Sequence, residues 1–179
     1  MSRERNSHPA RTNQKLYFAR LQLELLEAAL ADAGAFDSEP RALSCREAAI
    51  WHLHAGLGAF LQELSRFYKV LPTVSTPEAL AEAMARRQQV SPEAQILLQL
   101  AAEPDSWLAR LRALHAACLL PVTLPDIATE DESPARIGIP VVMTEADAPL
   151  GEPDRAMLAD ILKALTQTIR DFRAELVEF

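Results

Sequence analysis

The spacing of large apolar residues after residue 157 constrains the fold of this chain more than any other feature of the sequence. These side chains recur at alternating steps of four and three residues, as a helix with one buried stripe requires. The stripe consists of Leu158, Leu162, Leu165, Ile169, Phe172, Leu176 and Phe179. We therefore predict a long last helix, whose stripe packs either inside the chain's own bundle or along a seam between two copies.

Apolar residues also cover a wide arc of the first predicted helix. This helix is expected to run from about Gln14 to Ala33, with Thr12 or Asn13 as its cap and Gly34 as its stop. A wide apolar arc predicts that the helix is covered on more than one side. Residues 1–11 are polar and basic, and they are expected to form a flexible tail.

A capping box predicts the start of the second long helix. The Ser44 hydroxyl can accept a hydrogen bond from the amide of Glu47, while the Glu47 side chain reaches back to the Ser44 amide. An apolar stripe then continues at steps of three and four to about Lys69.

Three shorter helices are predicted between residues 77 and 119. Proline directly follows Thr76 and Ser91, and a hydroxyl residue before proline is a typical helix start. The predicted ranges are 77–88, 92–102 and 105–119.

Residues 120–153 contain six prolines and no helical periodicity. Between residues 126 and 154, eight acidic residues against Arg136 alone leave a net charge of −7. We expect this segment to cross the surface as an extended strap, with a mobile acidic loop as the alternative. The predicted fold is a single all-α domain over 12–179, an up-down bundle of three long and two or three short helices.

The composition excludes several classes of protein. With 25 acidic and 18 basic residues the net charge is −7, which opposes binding to duplex DNA. The two cysteines, Cys45 and Cys118, are expected to be reduced and buried. The sequence has neither a secretory signal nor a stretch that would span a membrane, which predicts a cytoplasmic protein.

The sequence lacks the common catalytic and metal-binding motifs. It contains no phosphate loop, dinucleotide-binding motif, zinc-protease motif or esterase motif. No Glu is followed three residues later by His, so a carboxylate-bridged di-iron site is rejected. His52 and His54 form an HxH pair, but on a helix they point about 200° apart and cannot share a metal. We therefore predict no metal and no cofactor, and we favour a non-enzymatic protein.

The remaining candidates for ligand binding or ion pairing are Arg46, Glu47, Trp51, His54, Trp107 and His115. Arg46 falls within the apolar stripe of the second helix, where a guanidinium needs a partner. Glu24 or Glu27 of the first helix is the predicted partner in a structural ion pair. A site for an anion or an RNA phosphate is the alternative.

The aromatic candidates give further predictions. Trp51 lies outside the apolar stripe, and it is expected to be covered by residues 120–153 or by a second subunit. His115 is expected to be a boundary histidine with a hydrogen bond. A pocket for a small ligand would be lined by Trp51, Trp107 and His54.

Three segments together resemble a small family of gammaproteobacterial proteins without an assigned activity. They are Thr12–Phe18, Cys45–Ala49 and Ser106–Leu108. The resemblance implies a bacterial cytosolic protein with a helical fold, and it transfers no catalytic residue. Arg46 and His52 show a weaker likeness to the Arg–His motif of HEPN-type helical RNases, although on a helix these two side chains point about 120° apart.

Three functions follow as hypotheses. The first is a non-enzymatic interaction or scaffold protein that forms a homodimer, with any further protein partner unidentified. The second is a HEPN-like RNA-binding bundle or RNase, and the third is a bundle that binds a small ligand. A flat apolar surface would favour the interaction protein. An Arg and a His that meet across a dimer groove would favour the HEPN-like bundle, and a deep pocket would favour the ligand-binding bundle.

Overall fold

The chain forms an all-α bundle in the computed structural model, which describes residues 8–70, 74–120 and 150–177. The long helices are α1 (His8–Ala31), α2 (Ser38–Phe67) and α6 (Glu152–Val177). The short helices are α3 (Pro77–Ala85), α4 (Pro92–Ala102) and α5 (Trp107–Ala117). The all-α prediction with three long and three short helices is confirmed. The predicted strap falls mostly on residues 121–149, which lie outside the described ranges.

Helices α1 and α2 form an antiparallel hairpin. The hydroxyl of Thr12, near the start of α1, donates a hydrogen bond to Glu63, near the end of α2, at 3.2 Å. The helices approach closely at Gly56, where an added Cβ would lie 3.2 Å from Cδ2 of Leu16. Glycine allows this approach because it places no side chain between the two helices.

Helix α6 lies beside this hairpin and runs antiparallel to α1. Near its start, Arg155 contacts Glu27 of α1 at 3.4 Å. Near its end, Arg173 contacts Glu63 of α2 at 2.7 Å. The three long helices therefore share one core, with α6 parallel to α2.

Helix α5 runs antiparallel to α2 on another side. His115 stacks on His54, whereas Cys118, just after α5, lies near Glu47, two turns earlier on α2. Helices α1 and α5 thus point one way, and α2 and α6 point the other. The predicted up-down arrangement is confirmed.

The heptad stripe of α6 lies in the chain's own core. Leu158, Leu165, Ile169 and Phe172 are buried, and the ring of Phe172 stacks on Phe60 with 6.0 Å between centroids. Packing inside the bundle is therefore the correct interpretation of this stripe. Within the described residues, no helix is both long and apolar enough to cross a membrane.

Both helices of the hairpin begin earlier than predicted. Helix α1 already includes His8 and Pro9, so it starts before the predicted Gln14. Thr12 is consequently inside the helix, not its cap, and its buried hydroxyl lies 3.2 Å from the backbone oxygen of His8. Residues 8–11, predicted as tail, are therefore helical.

Helix α2 begins at Ser38, six residues before the predicted capping box. Pro40 falls in the first turn, and Arg41 reaches back to pair with Asp37. Ser44 is thus an exposed residue within the helix, and Glu47 is not required for a capping box.

The predicted caps of the short helices are confirmed. The Thr76 hydroxyl accepts a hydrogen bond from the Ala79 amide at 3.1 Å, and the Ser91 hydroxyl accepts one from the Ala94 amide at 3.2 Å. Helix α3 ends three residues earlier than predicted, and Gln88 then adopts a left-handed conformation with φ of 55°.

Candidate functional site

Arg46 lies where α2 and α6 come together, and its side chain is 21% exposed. Its Nε is 3.9 Å from Oδ1 of Asp154 in the first turn of α6. That Nε is buried and has no hydrogen-bond partner within the described residues. The Asp154 carboxylate also accepts a hydrogen bond from the backbone N–H of Gly151 at 3.1 Å. Arg46 therefore has a charged neighbour and still retains an unsatisfied donor.

The predicted pairing of Arg46 with Glu24 or Glu27 is wrong. Glu24 forms an ion pair within α1 at 3.5 Å, and Glu27 pairs with Arg155 at 3.4 Å. The start of α6 occupies this end of the bundle instead. Its first turn favours a carboxylate such as Asp154, because the helix dipole is positive there.

Three ring side chains meet between α2 and α5. The imidazoles of His54 and His115 stack with 3.7 Å between centroids and 7° between planes. The indole of Trp51 meets His115 edge-on, with 4.4 Å between centroids and 77° between planes. Trp51 is 44% exposed, so these residues leave much of the indole uncovered. A covering second subunit stays a prediction, and the predicted strap lies outside the described ranges.

The hydrogen bond predicted for His115 is absent at one ring nitrogen. Its Nε2 is buried and unpartnered in the part of the chain that the structure describes. Burial lowers the pKa of His115, and burial followed by the charges of His115 and Arg112 lowers the pKa of His54. Both imidazoles therefore favour the neutral form, because a proton on one ring would be desolvated and close to the other.

Of the three residues predicted to line a pocket, the structure brings together Trp51 and His54 but not Trp107. Trp51 and His54 both contact His115, but Trp107 opens α5 eight residues earlier. That separation corresponds to about 12 Å along the helix axis. Trp107 is half-buried against the core.

The remaining candidate, Glu47, lies near the end of α5. Burial raises the pKa of the Cys118 thiol, and the Glu47 carboxylate raises it further. Both Cys45 and Cys118 are free, as predicted. Cys45 is buried, but Cys118 is only half-buried because it follows the last turn of α5.

The HxH pair diverges as predicted for a helix. His52 contacts Phe18 of α1 with 5.4 Å between ring centroids, whereas His54 contacts α5. Arg46 and His52 likewise face different helices, α6 and α1. Among the described residues, no group of three or more His, Cys, Asp or Glu side chains could hold a metal ion.

Sequence reasoning missed a polar network that joins α1, α2 and α6. Arg173 donates to both oxygens of Glu63 at 2.7 and 2.8 Å, and to the side-chain oxygen of Asn13 at 2.9 Å. Thr12 also donates to Glu63. Arg173 and Glu63 are 110 residues apart, so no local spacing could have indicated the pair.

A second missed cluster joins α2 to the start of α4. Glu93 is only 3% exposed, and its Oε2 accepts hydrogen bonds from Tyr68 at 2.7 Å and Ser91 at 2.6 Å. Burial and the hydrogen bond with Glu93 raise the pKa of Tyr68 to about 12. The Ser91–Pro–Glu93 signal predicted the helix start, but it did not indicate that this carboxylate is buried.

An apolar stripe runs along the outward side of α1. Tyr17, Leu21 and Leu25 follow one another at steps of four, and Ala28 continues the line. These positions lie opposite the buried side of the helix. Tyr17 is 49% exposed and Leu25 is 53% exposed. Helices α2 and α6 therefore leave Tyr17 and Leu25 open to solvent, whereas Leu21 between them is half-buried.

The sequence model of a protein family matches residues 6–179, and the description of that family is "Family of unknown function (DUF6586)". The chain belongs to this family. No curated protein and no solved structure matches the chain. Membership in DUF6586 assigns no activity to any residue, so the function has to be inferred from the surfaces and side chains of the bundle. The gammaproteobacterial range and the HEPN likeness remain predictions.

Proposed function

We propose that this DUF6586 protein is a non-enzymatic interaction protein that forms a homodimer through the outward stripe of α1. The observation that carries the proposal is the half-exposed pair Tyr17 and Leu25 on the side of α1 opposite the core. A contiguous exposed apolar surface is unfavourable in water, and it marks sites of protein association. The same proposal places the protein in a bacterial cytoplasm, in keeping with its free cysteines.

The positions of the ionisable side chains support a non-enzymatic role. Arg46 pairs with Asp154 on α6, while His52 packs against Phe18 on α1. An Arg–His pair for RNA cleavage would have to bring the two side chains to one substrate. Their separation within one copy favours interaction over catalysis, and an Arg–His site formed across two copies stays the alternative hypothesis.

The proposal is tested by the mass of the protein in solution. Sedimentation equilibrium over a concentration series up to tens of micromolar should give a monomer–dimer equilibrium. A specific dimer should bury at least about 1,000 Å² in total. A single monomeric species across the whole series would remove the proposed function.

The unsatisfied donor of Arg46 favours a second candidate function, the binding of a small anion. Because Nε is buried beside Asp154, a phosphate or carboxylate oxygen would take the place of the Asp154 carboxylate at the guanidinium. Phosphate should then raise the melting temperature of the wild-type protein but not that of Arg46→Met, with chloride at equal ionic strength as the control. An equal response of both proteins would eliminate this candidate.

A further inference from the structure

We infer that α1 packs antiparallel against α1 of a second copy, with a two-fold axis near Leu21. This inference rests on the proposed function and adds the geometry of the contact. Under such an axis, Tyr17 lies opposite Leu25 of the partner subunit, and Leu21 meets its own copy. The apolar stripe is thereby self-complementary, as a symmetric dimer contact requires.

The charges of α1 support the antiparallel direction. Beside the stripe, Arg20 lies nearer the start of the helix and Glu24 lies nearer its end. Antiparallel pairing places Arg20 of each copy beside Glu24 of the other. Parallel pairing would place like charges together, which is unfavourable.

Arg20 and Glu24 line one edge of the stripe. They form an ion pair within the helix at 3.5 Å, with 61% and 59% of their side chains exposed. The Arg20 guanidinium also lies 5.2 Å from the centroid of the Tyr17 ring. With the axis near Leu21, Arg20 comes close to Glu24 of the partner subunit, and the symmetry repeats this contact. The same two residues can therefore form two ion pairs across the dimer.

The first experiment tests the stripe. Leu21→Asp and Leu25→Asp should each weaken the dimer by about tenfold or more, because a carboxylate would be buried in an apolar contact. Ile96→Asp is the matched control, since Ile96 is 40% exposed but lies on α4. Circular dichroism checks that each variant keeps its helix content.

The second experiment tests the charges without changing the stripe. Arg20→Glu and Glu24→Arg should each weaken self-association, because each creates a like-charge contact between copies. An equimolar mixture of the two variants should form a heterodimer at least about tenfold tighter than either homodimer, because both contacts between copies are then of opposite sign.

The third experiment tests the direction. In a Cys118→Ser background, Leu21→Cys should form a disulfide-linked dimer on mild oxidation, and Ala28→Cys should not. In the antiparallel arrangement the two copies of residue 28 are roughly 21 Å apart along the axis, too far for a disulfide. A mixture of Gln14→Cys and Ala28→Cys should crosslink, because these positions face each other.

The outcomes separate the two proposals. A dimer that resists the Leu21, Leu25 and charge substitutions, or that crosslinks through Ala28→Cys alone, overturns the antiparallel α1 contact but leaves self-association intact. A monomeric wild-type protein overturns both. Loss of the dimer in the α1 variants, heterodimer formation and crosslinking at residue 21 together support the inference.

Discussion

Two of the arginines that connect α6 to the other long helices, Arg46 and Arg173, lie near opposite ends of α6. Arg173 donates to both carboxylate oxygens of Glu63 at 2.7 and 2.8 Å and to Asn13 at 2.9 Å. Arg46 at the other end lies 3.9 Å from Asp154, and its Nε has no partner within the described residues. Both are arginine–carboxylate contacts, but only the contact of Arg173 with Glu63 has the bidentate geometry that makes such a pair strong.

The surroundings of the two carboxylates widen the difference. Glu63 is 12% exposed, so removing Arg173 would leave a charge with little access to water. Asp154 is 31% exposed and is also bonded by the Gly151 amide, so removing Arg46 would leave a carboxylate that remains solvated. The Glu63 network therefore fixes the helices in place, whereas Arg46 makes the weaker contact.

Arg173→Met should give the largest loss of stability. The change keeps most of the apolar length of the side chain but leaves the Glu63 carboxylate unpaired. Removing one partner of a fully buried pair costs about 3–5 kcal/mol, and because Arg173 is 28% exposed we expect roughly 2–4 kcal/mol. Urea unfolding measures this change. Arg170→Met, at an exposed position of the same helix, is the control and should stay close to wild type.

The fold was predictable from local patterns, and the Glu63 network was not. The stripe of α6 and the caps at Thr76 and Ser91 are repeats or motifs within one helix, so the sequence displays them directly. The early start of α2 was not predicted because Ser44 carries a stronger local signal for a helix start than Asp37. Packing against α1 nevertheless extends the helix to residues before Ser44. The contact of Arg173 with Glu63 depends on how α6 docks, which no local pattern contains.

Acidification should act mainly through the stacked imidazoles of His54 and His115, which lie between α2 and α5. Burial lowers the pKa of both His54 and His115, so the unfolded chain binds protons more readily than the folded one. The contribution of the two histidines to the free energy of unfolding should therefore be fully present above the unfolded pKa of about 6.5. It should be lost as the pH falls through the lower pKa values of the folded state. The side chains of the Glu63 network include no imidazole.

Urea unfolding between pH 7.5 and pH 5 measures this effect. The His54→Gln, His115→Gln double variant should lose less stability on acidification than wild type. His52→Gln is the matched control: burial, Lys15 and Arg11 lower the pKa of His52, but it lies outside the stack. An identical pH profile for the double variant and wild type would show that the stacked pair does not govern the response.

Arg46→Met should change stability by less than about 1 kcal/mol, in either direction. The substitution removes a 3.9 Å contact, but it also removes a buried nitrogen that lacks a hydrogen bond, and the two effects offset each other. The comparison of the two arginines fails if Arg46→Met destabilises the protein as much as Arg173→Met in the same urea experiment.

The candidate site shows the same limit of sequence reasoning. The helical wheel correctly separated His52 from His54, because their divergence depends on one helix alone. The wheel also placed Arg46 among apolar residues, and the structure confirms its partial burial. Its partner was wrong because Asp154 reaches it from α6, and the stacking of His54 on His115 likewise needs the position of a second helix.

The smallest effects are expected in the middle of α2, between the two ends. An added Cβ at Gly58 meets nothing within 4 Å, so Gly58→Ala should stabilise the helix by about 0.5–1 kcal/mol. At Gly56 the added Cβ would lie 3.2 Å from Cδ2 of Leu16, and that side chain must shift. Gly56→Ala should therefore lose most of the gain seen at Gly58.

In a Leu16→Ala background the obstructing group is absent, so Gly56→Ala should recover the gain, which a double-mutant cycle in urea measures. If Gly56→Ala already matches Gly58→Ala in the wild-type background, the α1–α2 contact is looser than the structure indicates, and the ends of the bundle contribute more to holding the hairpin together.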